Sequence, residues 1–198
     1  DRVLVENPTY LAVLHILHTY EAQVIGVDTD DEGMTPEDLE KNILKHSPKF
    51  VYLVPTFQNP TGRTFSVKRR KELVEVASKY NVIIIEDDPY RDLRYSGEPL
   101  PSMKSFDKNG TVIYLTSFSK TISPGLRVGA AVAAPEILRK LTVGKQATDV
   151  HTSLLSQAIV DKYLRDGHFY PQLEKVIPVY AERMNCMLDV IENKFPSN

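Results

Sequence analysis

The sequence predicts an α/β fold, a three-layer sandwich in which helices cover both faces of a largely parallel mixed sheet. Apolar runs rich in β-branched residues recur along the chain, and helical patterns lie between most of them. Several runs are continuously apolar rather than alternating, as expected for strands that are covered on both faces. The runs are VLVE (3–6), VIGV (24–27), FVYLV (50–54), VIIIE (82–86), VIYLT (112–116) and VGAAVA (128–133).

The helical patterns between these strands carry start signals. TPEDLEKNIL begins with Thr35 as N-cap, Pro36 at the first helical position and Asp38 within reach of the capping position. SVKRRKELVEVASKY begins with Ser66 as N-cap and continues with one apolar stripe. The stripe consists of Leu73, Val74, Ala77 and Tyr80. The four basic residues KRRK are interpreted as a solvated face of this helix, because glutamates follow at once.

Helical patterns alone follow residue 134. The segments are PEILRKLTVGKQ, SLLSQAIVDKYL and QLEKVIPVYAERMNCMLDVIENKF. Pro178 is expected to kink the last helix or to mark a short first piece of it. Cys186, among methionines and a leucine, is expected to be a packed and unreactive thiol.

Composition excludes several classes of partner. The formal net charge of −2 over 198 residues gives no electrostatic case for nucleic acid or an anionic membrane. No apolar run approaches the roughly 20 residues needed to span a bilayer. One cysteine fits a reducing compartment, and we expect a cytoplasmic protein. His15 and His18 have i, i+3 spacing, but no metal site is expected at this pair.

Polar residues cluster directly after four of the predicted strands, where a parallel sheet places its ligands. The clusters are NPTY, PTFQNPTG, DDPY and SFSK. Ser117, Ser119 and Arg127 are residue types that hold a phosphate group. A lysine beside a bound phosphate, together with an aspartate after a neighbouring strand, indicates pyridoxal 5′-phosphate, which needs a Schiff-base lysine and an acid for its pyridine nitrogen.

The chain resembles the fold-type I pyridoxal-phosphate aminotransferases of class I/II, in the branch of kynurenine, 2-aminoadipate and aromatic aminotransferases. The resemblance runs across nearly the whole chain and rests on four motifs in the order of that family. They are NPTY (7–10), QNPTG (58–62), EDDPY (86–90) and SFSKTISPGLRVG (117–129).

Site roles follow from this resemblance, position by position. Lys120 matches the lysine that forms the internal aldimine and later shuttles the proton. Asp87 matches the acid that pairs with the pyridinium nitrogen, and Asp88 is the competing candidate. Asn59 and Tyr90 match the pair that hydrogen-bonds the phenolic oxygen of the cofactor.

The remaining matches concern the phosphate group and the ring. Ser117, Ser119 and Arg127 match the phosphate cup. Tyr10 matches the aromatic residue that stacks on the pyridine ring, with a plain core aromatic as the alternative. The resemblance also implies cis peptide bonds at Asn7-Pro8 and Asn59-Pro60.

The implied function is transfer of an amino group from an α-amino acid to a 2-oxo acid such as 2-oxoglutarate, by a homodimer. Residues 1–168 would form most of the cofactor-binding large domain, and residues 169–198 would begin the helix that leads to a smaller domain. The residues that bind the substrate carboxylate would lie outside this chain. Two alternatives stay open: the effector domain of a winged-helix transcription regulator, and a β-eliminating lyase. As a family, the regulators tend to have EDDYD for EDDPY and to lack the asparagine of QNPTG.

Overall fold

The computed structural model describes residues 1–196, and within them the chain forms a six-stranded sheet with a separate two-stranded ribbon. The strands are β1 (Arg2–Glu6), β2 (Gln23–Val27), β3 (Thr29–Asp30), β4 (Gly33–Met34), β5 (Phe50–Leu53), β6 (Ile83–Asp87), β7 (Val112–Ser117) and β8 (Gly129–Val132). The large sheet has the order β2-β1-β5-β6-β7-β8, and β3 pairs with β4.

All neighbours in the large sheet run parallel except β7 and β8, which are antiparallel. The predicted α/β fold with a largely parallel mixed sheet is therefore confirmed. Because parallel strands end at the same edge, the polar clusters after β1, β5, β6 and β7 emerge side by side.

The helices are α1 (Leu11–Thr19), α2 (Pro36–His46), α3 (Val67–Lys79), α4 (Pro135–Asp149), α5 (Leu154–Arg165) and α6 (Phe169–Lys194). Apolar residues of α2 and α3 pack on one face of the sheet, around Leu4, Val51 and Ile84. On the other face, Leu17 of α1 packs in a second core that includes Tyr52. The sheet is thus covered on both faces, which explains its continuously apolar strands.

Both predicted N-caps are confirmed. The side chain of Thr35 accepts a hydrogen bond from the backbone N–H of Asp38, and Ser66 does the same for Arg69. These bonds satisfy donors that the first turn of a helix otherwise leaves open.

Three expectations need correction. The KRRK segment is not a uniformly solvated face, because Arg70 is completely buried. Pro178 does not mark a short first piece, since α6 continues through it. Cys186 is exposed rather than packed, because the apolar residues around it on α6, Met187 and Leu188, are themselves mostly exposed in the described chain.

Membrane-spanning helices are long and apolar. Within residues 1–196, no helix is both long and apolar enough to cross a membrane.

Candidate active site

A cavity of about 230 Å³ opens at the carboxyl edge of the sheet, where the loops after β1, β5, β6 and β7 meet. It is lined by Tyr10, Tyr52, Val54, Asn59, Asp87, Pro89, Tyr90, Ser117, Ser119, Lys120 and Arg127. All eight residues proposed from the sequence are in this set. Residues far apart in the chain are therefore brought together at one place.

The loops after β1 and β5 share a backbone feature. Both Asn7-Pro8 and Asn59-Pro60 are cis, as the resemblance implies. The first loop leads to Tyr10 and the second carries Asn59, and both of these side chains reach the cavity.

Gln58 joins these two loops from a buried position. Its side-chain N–H donates to the carbonyl oxygen of Pro8 at 2.8 Å. Its side-chain oxygen accepts from the backbone N–H of Thr61 at 2.9 Å and from the hydroxyl of the same residue at 2.7 Å. Gln58 therefore fixes the turn that presents Asn59.

The loop that carries Lys120 is closed by its own hydrogen bonds. The backbone N–H of Ser119 donates to Ser117 Oγ at 3.1 Å, and that of Phe118 donates to the carbonyl of Val128 at 3.1 Å. Arg127 adopts a left-handed backbone conformation with φ of 56°. The backbone of this turn brings an amine, two hydroxyls and a guanidinium to one side of the cavity.

Asp87, at the end of β6, forms a short hydrogen bond with a residue of the neighbouring strand. Tyr52 Oη donates to Asp87 Oδ2 at 2.6 Å. Burial raises the pKa of Asp87, and the bond from Tyr52 opposes that rise because it stabilises the carboxylate. Burial and the nearby Asp87 charge also raise the pKa of Tyr52 far above its usual value, so the phenol keeps its proton and stays a donor.

Asp88, the competing acid, does not line the cavity. Its side chain is buried, with the guanidinium of Arg91 3.8 Å away. Burial raises the pKa of this carboxyl group as well. Of the two adjacent aspartates, Asp87, which matches the acid of the family, is the one that lines the cavity.

A buried ionic network supports the base of these loops. Arg70 donates to the carbonyl oxygen of Pro55 at 2.8 Å and to the hydroxyl of Thr56 at 2.9 Å, and it lies 3.9 Å from Glu86. Glu86 also accepts from the backbone N–H of Met103 at 2.7 Å. Burial raises the pKa of Glu86 to about 7.

A second buried acid, Glu6, lies at the end of β1. Its Oε2 accepts from the backbone N–H of Val54 at 2.9 Å, which ties the end of β1 to the end of β5. Burial raises the pKa of this carboxyl group to about 8. Near neutral pH the group therefore holds its proton in the folded chain.

Tyr52, Gln58 and Arg70 are not among the residues predicted from the sequence. Tyr52 lies inside an apolar run, and nothing local marks its hydroxyl as functional. Gln58 directly precedes the asparagine of QNPTG, so motif membership was an available signal. Arg70 lies three residues before Leu73 on the apolar stripe of α3, and that position signals burial.

The residues that line the cavity fit pyridoxal phosphate by their chemistry. Lys120 supplies a primary amine for a Schiff base, and Asp87 supplies an acid for the ring nitrogen. Ser117, Ser119 and Arg127 supply hydroxyl and guanidinium donors for a phosphate group.

Comparison with known proteins gives consistent matches. Residues 1–194 match the family model described as aminotransferase class I and II. The chain is 44% identical to aromatic-amino-acid aminotransferase 1 of Thermococcus litoralis, covering 99% of this chain and 48% of that protein. It superposes on the crystal structure of Pyrococcus horikoshii kynurenine aminotransferase in complex with PMP with a TM-score of 0.96, at 43% identity, covering 100% of this chain and 50% of that one.

A third relative belongs to another functional class. The chain is 36% identical to the uncharacterized HTH-type transcriptional regulator YdfD of Bacillus subtilis, covering 96% of this chain and 39% of that protein. The chain thus spans about half the length, or less, of the relatives that it matches. Since the family model covers nearly all of its residues, the chain belongs to the aminotransferase class I and II family.

Proposed function

We propose that this chain provides the cofactor site of a pyridoxal-phosphate-dependent aminotransferase. The enzyme would move an amino group from an α-amino acid to a 2-oxo acid, with 2-oxoglutarate as the acceptor. The observation that carries the proposal is the common cavity of all eight predicted residues, among them Lys120, Asp87 and Arg127. The similarity to aromatic and kynurenine aminotransferases supports it.

Each residue has a proposed task at a stated group of the cofactor. Lys120 Nζ would hold the cofactor by condensing with its carbonyl group, with loss of water. Once the amine of the substrate displaces it, Lys120 Nζ would carry the proton taken from the α-carbon of the substrate. Asp87 would accept a hydrogen bond from the protonated ring nitrogen. Asn59 and Tyr90 would hydrogen-bond the phenolic oxygen.

The other lining residues would fix the position of the ring. Ser117, Ser119 and Arg127 would hold the phosphate group, and Tyr10 would stack on one face of the ring. Bound in this way, the cofactor supplies an electron sink for the negative charge that develops at the substrate α-carbon. Placing its donors and acceptors on short, internally hydrogen-bonded loops keeps that geometry fixed.

Asn59 favours an enzyme over the regulator. It lines the cavity together with Tyr90, whereas the regulators that resemble this chain tend to lack the asparagine of QNPTG. We also propose that the active protein is a homodimer. Residues 1–168 would belong to its large domain, and residues 169–198 would begin the helix that leads out of that domain. The proposed partner surface is supported by apolar residues that are exposed on two helices. They include Leu154 and Leu155 on α5 and Val143 on α4.

The test uses the full-length protein supplied with pyridoxal phosphate, a panel of amino acids and 2-oxoglutarate. We expect glutamate to form in step with the 2-oxo acid of the donor. Lys120→Ala should abolish this transfer, whereas Lys108→Ala, at an exposed position outside the cavity, should leave it unchanged.

Two other outcomes would contradict the proposal. Release of ammonia without glutamate formation would indicate the lyase. Sequence-specific DNA binding without turnover of any donor would indicate the regulator.

A further inference from the structure

We infer that Tyr52 is a positioning residue for the cofactor site, which holds the Asp87 carboxylate in one orientation toward the ring nitrogen of pyridoxal phosphate. The inference rests on the proposed function and extends it by one residue. It starts from the 2.6 Å hydrogen bond between Tyr52 Oη and Asp87 Oδ2.

The register of the sheet makes this pair possible. Tyr52 on β5 lies opposite Ile85 on β6, and Asp87 follows Ile85 by two residues. Side chains two residues apart on a strand point to the same face. The two side chains are therefore diagonal neighbours on one face, a distance that a long aromatic side chain spans.

The hydroxyl does more than fill space. Tyr52 is only 4% exposed and packs among Val3, Val5 and Leu17, so phenylalanine would suit the packing equally well. Among the hydrogen bonds of residues 1–196, the Asp87 side chain has Tyr52 as its partner. The bond from Tyr52 to Oδ2 uses only part of the acceptor capacity of the carboxylate. Since Asp87 lines the cavity, the rest of that capacity is available to a ligand there.

A carboxylate that is held in one orientation binds its ligand more tightly than a carboxylate that rotates freely. A hydrogen bond to an ionised group is about twice as strong as one between neutral groups. It also restricts rotation of the carboxylate before the cofactor arrives, which lowers the ordering cost of binding. Burial alone would favour the neutral acid, so the phenol also supports the charged form that a protonated ring nitrogen requires.

The experiment compares two ligands on the full-length apoprotein by equilibrium dialysis. One is pyridoxal phosphate, and the other is its deaza analogue, in which a carbon atom replaces the ring nitrogen. Tyr52→Phe should weaken binding of pyridoxal phosphate about 10-fold and leave binding of the analogue within about 2-fold. In an Asp87→Asn background, Tyr52→Phe should have no further effect on either ligand.

The matched control is Tyr80→Phe. Tyr80 Oη also donates to a carboxylate, Glu40 Oε1, at 2.7 Å, but outside the cavity. This variant should bind both ligands like the wild type.

Each contrary result has a distinct meaning. If Tyr52→Phe lowers the affinity for both ligands equally, Tyr52 serves packing. If it lowers neither affinity, the hydroxyl of Tyr52 does not contribute to cofactor binding. Failure of Tyr52→Phe to fold would make the hydroxyl a stability element. Each of these overturns the inference while leaving the proposed function intact. Wild-type protein that fails to bind pyridoxal phosphate would overturn both.

Discussion

The side-chain amide of Gln58 donates a hydrogen bond to the carbonyl oxygen of Pro8 at 2.8 Å. One buried residue thus joins the loop that carries Asn59 to the loop that leads to Tyr10. Two sides of the proposed cofactor site depend on this contact, although neither partner in it lines the cavity.

Replacing Gln58 by leucine should loosen both loops. The change removes the side-chain partner of the Pro8 carbonyl and of the Thr61 N–H, and a lost hydrogen bond of this kind costs about 0.5–1.5 kcal/mol. We expect a lower free energy of unfolding in urea and weaker binding of pyridoxal phosphate. Gln146→Leu, at an exposed position on α4, serves as the control and should change both by little. Unchanged cofactor binding in Gln58→Leu would contradict the proposed linkage of the loops.

Removing the charge of Arg70 should destabilise the fold strongly. At about pH 8, above the Glu86 pKa of about 7, Arg70→Met leaves the Glu86 carboxylate buried without its cation, and breaking a buried pair in this way costs about 3–5 kcal/mol. The double variant Arg70→Met/Glu86→Gln should recover part of the loss, since it no longer buries an unpaired charge. Arg139→Met, at an exposed position, should stay within about 0.5 kcal/mol of the wild type. Chemical unfolding measures all three, and an unaffected Arg70→Met would refute the role of the network.

Stability should fall as the pH rises from about 5 to 8. The folded chain holds the Glu6 proton up to a pKa of about 8, whereas the ordinary value is 4.5. Between these values the unfolded chain has released the proton and the folded chain has not, so each added pH unit favours unfolding by up to about 1.4 kcal/mol. Burial of Glu86, with its pKa of about 7, acts in the same direction.

Glu6→Gln isolates the first of these two contributions. Glutamine can still accept the hydrogen bond from Val54 but does not titrate, so the pH dependence should become shallower between about pH 5 and 8. Glu182→Gln, at an exposed position on α6, should leave the profile unchanged. Identical slopes for Glu6→Gln and the wild type would show that Glu6 is ionised in the folded protein.

Two glycines should respond to alanine in opposite ways. Gly33 has φ of +92°, and an added Cβ would lie 1.9 Å from Phe65 Cε1. Gly144 lies within α4, where an added Cβ meets nothing within 4 Å. Gly33→Ala should therefore lower Tm, whereas Gly144→Ala should raise stability by about 0.5–1 kcal/mol because alanine favours a helix. A Gly33→Ala protein as stable as the wild type would show that β4 and Phe65 can move apart.

Local sequence signals predicted the helices whose N-termini contain those signals. The N-caps Thr35 and Ser66 formed as expected, because capping depends on residues only three positions away. Helix α1 was not predicted individually, since its N-cap, Tyr10, makes no side-chain capping bond and its first turn holds no acidic residue. The exposure of Cys186 could not be predicted either, because it depends on which surface covers that part of α6.

The site residues also fall into two groups, those that a motif identifies and those that depend on contacts between distant parts of the chain. Motif residues such as Asn59 and Lys120 were found, because spacing and order along the chain identify them. Tyr52 was not found, because its hydroxyl gains a partner only through the register of β5 against β6. Contacts of that kind depend on pairing between distant parts of the chain, which a single sequence does not display.

The most direct measurement is the location of the covalent bond between cofactor and protein. Full-length protein incubated with pyridoxal phosphate is reduced with borohydride, digested and analysed by mass spectrometry. We expect one phosphopyridoxyl group, on the peptide that contains Lys120, and none on that peptide in the Lys120→Ala variant. A modification confined to another lysine, or no modification at a cofactor concentration that saturates binding, would contradict the assignment of this cavity.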